Sequence, residues 1–354
     1  MAPTVHVVDP DYDTIVILRD ASSRFAEAEA KCETGDASPA ADNMKREVHY
    51  HVSSRHLQVA SSWFKRAMAK ESWAESKLKN GHYQILAHDW DEKALLMLFN
   101  IFHLRNRQVP RAVSLELLAK IAVLVDYYEC GEAIELFATM WIEEVKKTAV
   151  PTTYCRDLVL WIWIAWVFGL SERFETATTV AIKEGRQTMS ALQLPIPASV
   201  SDGVDLRRYQ AIEAVISGLH EMLADFRSPG YKCTEDDTLS FLCGSIMFGA
   251  LTKELDSWSL HSPRPEIPFH DTSFSIICDK VKGVQSPVWT DSSAHERNYN
   301  YKYNYGYSKD RHECDLRDAV VKIVDTATAG VMGLKSGDMR GWGEVAKARS
   351  ESRN

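Results

Sequence analysis

Apolar and polar side chains repeat with two different periods along this chain. Thr14-Ile15-Val16-Ile17-Leu18 is a short run rich in β-branched residues, which predicts a strand buried on both faces. Val48-His49-Tyr50-His51-Val52 alternates with period two, as a half-buried strand does. Tyr83 and Ile85 mark a third strand. Residues 21–46 carry Ala, Glu, Asp and Ser with almost no large apolar side chains. Such a segment buries too little surface to offset its ordering entropy, and a mobile insertion is expected there.

The period then changes to that of a helix. Ser53 or Ser54 can cap a helix carrying Leu57, and Ser61 or Ser62 a second one carrying Phe64 and Met68. Asp91 can cap a helix with Ala94, Leu95, Leu98, Phe99 and Phe102. Ser114 opens another with Leu118, Ile121, Ala122 and Val125 on one face. Gly131 separates this from a helix bearing Ile134, Phe137, Met140 and Trp141. Leu57, Phe64, Leu98, Leu118 and Ile121 are expected to share one core. Strands followed by a run of amphipathic helices predict an α+β fold, a small sheet capped by helices.

Pro151 is read as a boundary. Beyond it the spacing predicts helices over 153–170, 172–187, 205–226, 236–256, 272–284 and 313–333, with breaks at Pro195-Ile196-Pro197, at Ser228-Pro229-Gly230 and across His261 to Pro268. Residues 298–307 place Tyr at every odd position among Asn, Lys and Gly, which reads as a polar low-complexity loop. The expected layout is a first domain over 13–146, a helical domain over 151–333 and a disordered tail over 334–354.

Charge and cysteines narrow the function classes. The chain has 354 residues and a formal net charge of −8, without a Lys/Arg cluster, which argues against nucleic acid as a direct partner. The N-terminus lacks the charged-then-apolar layout of a secretory signal. The longest apolar run, Leu158 to Leu170, is thirteen residues, short of the roughly 20 that span a bilayer. No membrane partner is expected. The seven cysteines are odd in number and scattered, with no Cys-x-x-Cys pair. Reduced buried thiols in a cytoplasmic or nuclear protein fit that pattern.

Signatures of catalysis are sparse in the chain. There is no Gly-rich phosphate loop, no Gly-x-Ser-x-Gly elbow and no His-Glu-x-x-His helix. His49 and His51 share a strand face but lack a third ligand nearby in sequence. His312 and Cys314 stand two apart, yet the nearest other cysteine in sequence is Cys278. No zinc site is expected at either place. Cys155, at the start of a Trp-rich helix, reads as packing. Trp163 and Trp166 share a helix face, with Trp161 pointing about 160° away from Trp163, so this helix is expected at the core of the second domain. No catalytic residue, cofactor or metal ligand is assigned, and an enzyme is not expected.

The segment from Val52 to Met68, together with Asp13-Thr14-Ile15-Val16, residues 82–104, Leu117-Leu118-Ala119 and Val125-Asp126-Tyr127-Tyr128, resembles the BTB/POZ family. The wider chain is similar to uncharacterised fungal BTB proteins with a helical C-terminal half. The resemblance implies a protein-interaction adaptor. Its sharpest form is a substrate adaptor of a cullin-type ubiquitin ligase. The alternative is a BTB scaffold or transcription-associated assembly protein without a cullin contact. Trp73-Ala74-Glu75 resembles the apolar-x-Glu motif by which many members engage a cullin, so Met68, Trp73 and Glu75 are the implied interaction residues. An aromatic would anchor in a pocket and a carboxylate would orient at its rim. In homodimeric members a charged pocket pairs a residue resembling Asp13 with a basic one. Here Ser53 stands in place of the family's usual His and Ser54 in place of that basic residue, so family-style homodimerisation is in doubt.

Overall fold

The structure, a computed structural model, describes residues 3–21, 25–26, 47–69, 78–79, 81–289 and 312–335. Its fold is α+β. Strand β2 (Thr14–Arg19) sits in the middle of a mixed sheet. It runs antiparallel to β3 (Val48–Val52), with Val16 opposite Tyr50, and parallel to β5 (His82–His88), with Val16 opposite Ile85. The pairing of 14–18 with 48–52 follows the sequence pattern. Val48, Tyr50 and Val52 point into the core while His49 and His51 stay half-buried.

Two strands were not legible from periodicity. β1 (Thr4–Val7) lies parallel to β3 at one edge, and the two-residue β4 (Leu78–Lys79) lies antiparallel to β5 at the other. β1 places the start of the fold before Asp13. Side chains far along the chain hold it: His6 Nε2 meets the Glu92 carboxylate at 2.8 Å, and Arg105 donates to the carbonyls of Val7 and Val8 at 2.8 and 3.2 Å.

Helices α1 (Ser54–Ala60) and α2 (Ser62–Ala69) follow β3. Ser53 makes no side-chain cap bond to α1; the Asp13 carboxylate instead accepts from the amide and hydroxyl of Ser54 at the start of that helix. Ser61 caps α2, its Oγ accepting from the Phe64 amide at 3.1 Å. Asp91 caps α3 (Glu92–Phe102) through the Ala94 amide and Ser114 caps α4 (Leu115–Tyr128) through the Leu117 amide, as read from the sequence. α5 (Gly131–Val145) completes this run. Leu57, Phe64, Leu98, Leu118 and Ile121 are all buried, and the Phe64 ring stacks on Tyr128 at 4.8 Å.

The chain forms two compact units, and their boundary differs from the one expected at Pro151. The first unit runs to Val180 and takes in Ser190–Ser201 and the chain from Gly333; the second is Ala181–Met189 with Asp202–Met332. The reason is α6 (Arg156–Val167), which is apolar all round, with Leu158 to Ala165 buried. It packs against α4, so the Trp-rich helix belongs to the core of the first unit and not to a second domain. α7 (Ser171–Glu184) follows. Leu334 is buried, its amide donating to Thr178 Oγ1 at 2.9 Å, so residue 334, expected in a disordered tail, is ordered; residues 336–354 lie outside the described ones. So do the Tyr repeat and, apart from Ala21, Phe25 and Ala26, the expected insertion.

The second unit is helical: most of α8 (Ala198–Arg227), then α9 (Ser240–Ser257), α10 (Phe274–Lys282) and α11 (Leu316–Gly330). Its core interleaves Ile212, Val215, Ile216 and Leu219 of α8 with Met247, Leu251 and Leu255 of α9, Ile277 and Val281 of α10, and Val320 and Val324 of α11. Each set recurs three or four residues apart, on one helix face. Among the described residues, no helix is long and apolar enough to cross a membrane.

Candidate interaction surface and a cysteine–histidine cluster

In the first unit, the α1–α2 pair is pinned to the end of α4. Ser61 Oγ donates to the Tyr128 carbonyl at 2.5 Å, and Arg66 makes two 2.8 Å bonds to the Glu129 carboxylate. Glu129 closes α4 in the left-handed region at φ 51°. Trp63 packs edge-on against Phe64 and Tyr128. The outward face of α1 carries Arg55 and Val59, the latter 90 % exposed. Met68, half-buried at the end of α2, lies 3.8 Å from the Gln58 amide nitrogen. Trp73 and Glu75 lie outside the described residues, so of the three implied interaction residues only Met68 is placed.

Asp13 is satisfied within its own chain. Its carboxylate accepts from the Ser54 amide at 2.7 Å, from Ser54 Oγ at 2.5 Å and from Thr14 Oγ1 at 3.0 Å. Burial alone would raise its pKa, but the bonds from Ser54 and Thr14 outweigh it and hold the carboxyl below the usual carboxylate value.

Asp9, His56 and His103 come within ligand distance of one another, and the two rings stack at 4.7 Å. His103 is already used on both sides. Its Nε2 accepts from the Ser53 amide at 2.9 Å, which requires Nδ1 to donate to the Phe99 carbonyl at 2.8 Å. No lone pair remains for a metal. Burial lowers its pKa, and protonation of Nε2 would break the bond from Ser53. His51 and His49 serve the sheet: His51 stacks on Tyr12 at 3.9 Å, and His49 lies 3.5 Å from the Glu47 carboxylate.

The second unit holds a different cluster. Cys233 lies on the loop after α8, and Cys243 lies in the first turn of α9. His312 and Cys314 lie on the extended stretch before α11. The ligand atoms of these four residues all lie within 4.8 Å of one another. His312 Nε2 is 3.3 Å from Cys233 Sγ and 3.2 Å from Cys243 Sγ, and Cys233 Sγ is 3.7 Å from Cys314 Sγ. Cys233, Cys243 and His312 are buried and Cys314 is half-buried. The sequence distance that argued against a metal at His312 and Cys314 is closed by the fold, which brings in two cysteines about seventy and eighty residues away.

The surroundings of the cluster are ordered. His312 Nδ1 meets the Glu235 carboxylate at 2.7 Å, and the His312 ring stacks on Trp289 at 4.1 Å. The His312 amide donates to the Trp289 carbonyl at 3.1 Å. The Tyr231 hydroxyl lies 3.5 Å from Cys243 Sγ and the Thr234 hydroxyl 3.3 Å from Cys314 Sγ. Gly244 permits the approach of Tyr231, since a Cβ there would meet that ring at 2.9 Å. Burial pushes the Cys243 thiol up to about 12. No model of a known protein family matches this chain, and no curated protein does either.

Proposed function

We propose that this chain is a protein-interaction adaptor of the BTB type whose first unit docks a partner, with a cullin-type ligase scaffold as that partner. The observation that carries the reading is the order of elements around β2. An antiparallel neighbour leads directly into a helix pair broken at Ser61, and a parallel strand returns before the α3–α4–α5 run. That order agrees with the segments on which the BTB resemblance rests. The α1–α2 pair is braced by Ser61, Arg66 and Glu129, so the chain leaving Met68 toward Trp73 and Glu75 starts from a fixed anchor. A braced anchor lowers the ordering cost of a docking loop.

Calorimetry of the full chain against a cullin N-terminal domain tests the reading. Trp73→Ala should leave the fold intact and cost at least about 2 kcal/mol of binding, the scale of a central aromatic. Glu75→Ala should cost less, because a rim charge stays screened by water and salt. Equal affinity for wild type and Trp73→Ala, or no binding by either, removes the ligase form and leaves the scaffold.

A further inference from the structure

We propose that Cys233, Cys243, His312 and Cys314 hold one zinc ion in a closed, structural site within the second unit. The spacing of the ligand atoms supports this. Tetrahedral zinc, with Zn–S of about 2.3 Å and Zn–N of about 2.0–2.1 Å, requires sulfurs about 3.8 Å apart and sulfur–nitrogen pairs about 3.6 Å apart. The cluster shows 3.7 Å between Cys233 and Cys314 sulfurs, and 3.3 and 3.2 Å from His312 Nε2 to Cys233 and Cys243. These three pairs lie within a few tenths of an ångström of that geometry, and the remaining pairs lie within 4.8 Å. The sulfurs are also too far apart for a disulfide, which needs about 2.05 Å.

The hydrogen bonding points the same way. Glu235 accepts a hydrogen bond from His312 Nδ1–H, which leaves the Nε2 lone pair facing the sulfurs. A carboxylate behind a histidine in this manner is the usual orienting partner of a zinc-bound imidazole. The Nε2 lone pair faces both the Cys233 and the Cys243 sulfur and can accept from only one S–H, whereas a cation is shared by nitrogen and thiolates alike. The hydroxyls of Tyr231 and Thr234 then donate to the thiolates of Cys243 and Cys314. Cys243 further gains from the first turn of α9, whose amides favour negative charge. Binding releases three thiol protons to solvent and leaves a Cys3His shell around the ion. Four protein ligands leave no open position, which marks a structural and not a catalytic metal. The soft, thiolate-rich set selects zinc over magnesium or calcium. The ion would join the loop after α8 and the start of α9 to the strand-like entry of α11, a staple across this unit.

Elemental analysis of the reduced full-length chain should give about one zinc per chain. Cobalt exchange should give thiolate-to-cobalt charge transfer and the intense visible bands of tetrahedral cobalt. Cys278→Ser, at a buried thiol outside the cluster, should retain both. Cys243→Ser and His312→Ala should lose the metal. Should those two variants fail to fold, Glu235→Gln keeps every ligand and should weaken zinc affinity about ten- to a hundred-fold. Cys314 borders a cleft lined by Met222, Phe226, Tyr231 and Met247. Its alkylation should therefore slow at least about ten-fold with zinc and recover with chelator. A folded wild-type chain without cobalt bands and with zinc-independent alkylation overturns the proposal. Bound iron–sulfur absorption in place of zinc overturns it as well.

Discussion

Arg208 is buried among main-chain carbonyls, and its guanidinium donates to those of Gly185, Arg186, Pro268, Phe269 and Thr272 at 2.6 to 3.2 Å. One side chain thus satisfies the turn after α7 and the loop before α10 together. Arg208→Met keeps the volume but orphans buried acceptors, each worth about 1–3 kcal/mol. The expected loss is at least about 3 kcal/mol, read as a lower midpoint in urea denaturation. Phe64→Ala should cost about 3–5 kcal/mol, because its ring is fully buried and stacked on Tyr128, and a calorimetric melt checks this. His103 gives a pH signature. Its folded pKa lies below the ordinary value, so the unfolded chain takes up the proton first as pH falls. Stability is therefore full above about pH 6.5 and declines below it toward the folded pKa. His103→Gln should flatten that decline between pH 7.5 and 5.5 without abolishing it, since burial depresses His51 as well, helped by the charges of His49 and His82.

At the scale of elements, the α1–α2 pair depends on one serine used twice. Ser61 Oγ accepts from the Phe64 amide and donates to the Tyr128 carbonyl, so it caps α2 and ties it to α4 at once. Ser61→Ala should cost about 1–2 kcal/mol, the range for a helix cap, and denaturant titration measures it. α6 offers a second case. Its period told only that it is buried, and its partner, α4, was settled by packing. A helix apolar on every side can satisfy any core that closes around it, which is why Pro151 looked like a boundary and is not one.

For the whole molecule, the state of Asp13 bears on self-association. Ser54 and Thr14 supply its hydrogen bonds from within the chain, so no partner subunit is needed to neutralise it. A symmetric interface built on that carboxylate would have to strip these bonds and bury the charge. Light scattering of the full chain at micromolar concentration should report the mass of a single chain. A stable dimer mass would show that another surface drives assembly and would favour the scaffold.

The sequence by itself determined β2, β3, β5, the capped helices α3 and α4, the core set around Phe64, and the α+β class, because these follow from local periodicity and from caps a few residues away. The lone β1, the place of α6 and the end of the first unit at Val180 were decided only by tertiary structure. A parallel strand has no turn to announce its partner, and an all-apolar helix has no preferred face. The same limit hid the cysteine–histidine cluster. His312 and Cys314 were visible as a pair, but Cys233 precedes α9 and Cys243 sits in its first turn, ten residues apart from each other and separated from His312 by the rest of α9 and α10 in sequence, with no short-range spacing to mark them. Only the packing of α8, α9 and α11 into one core brings the four together.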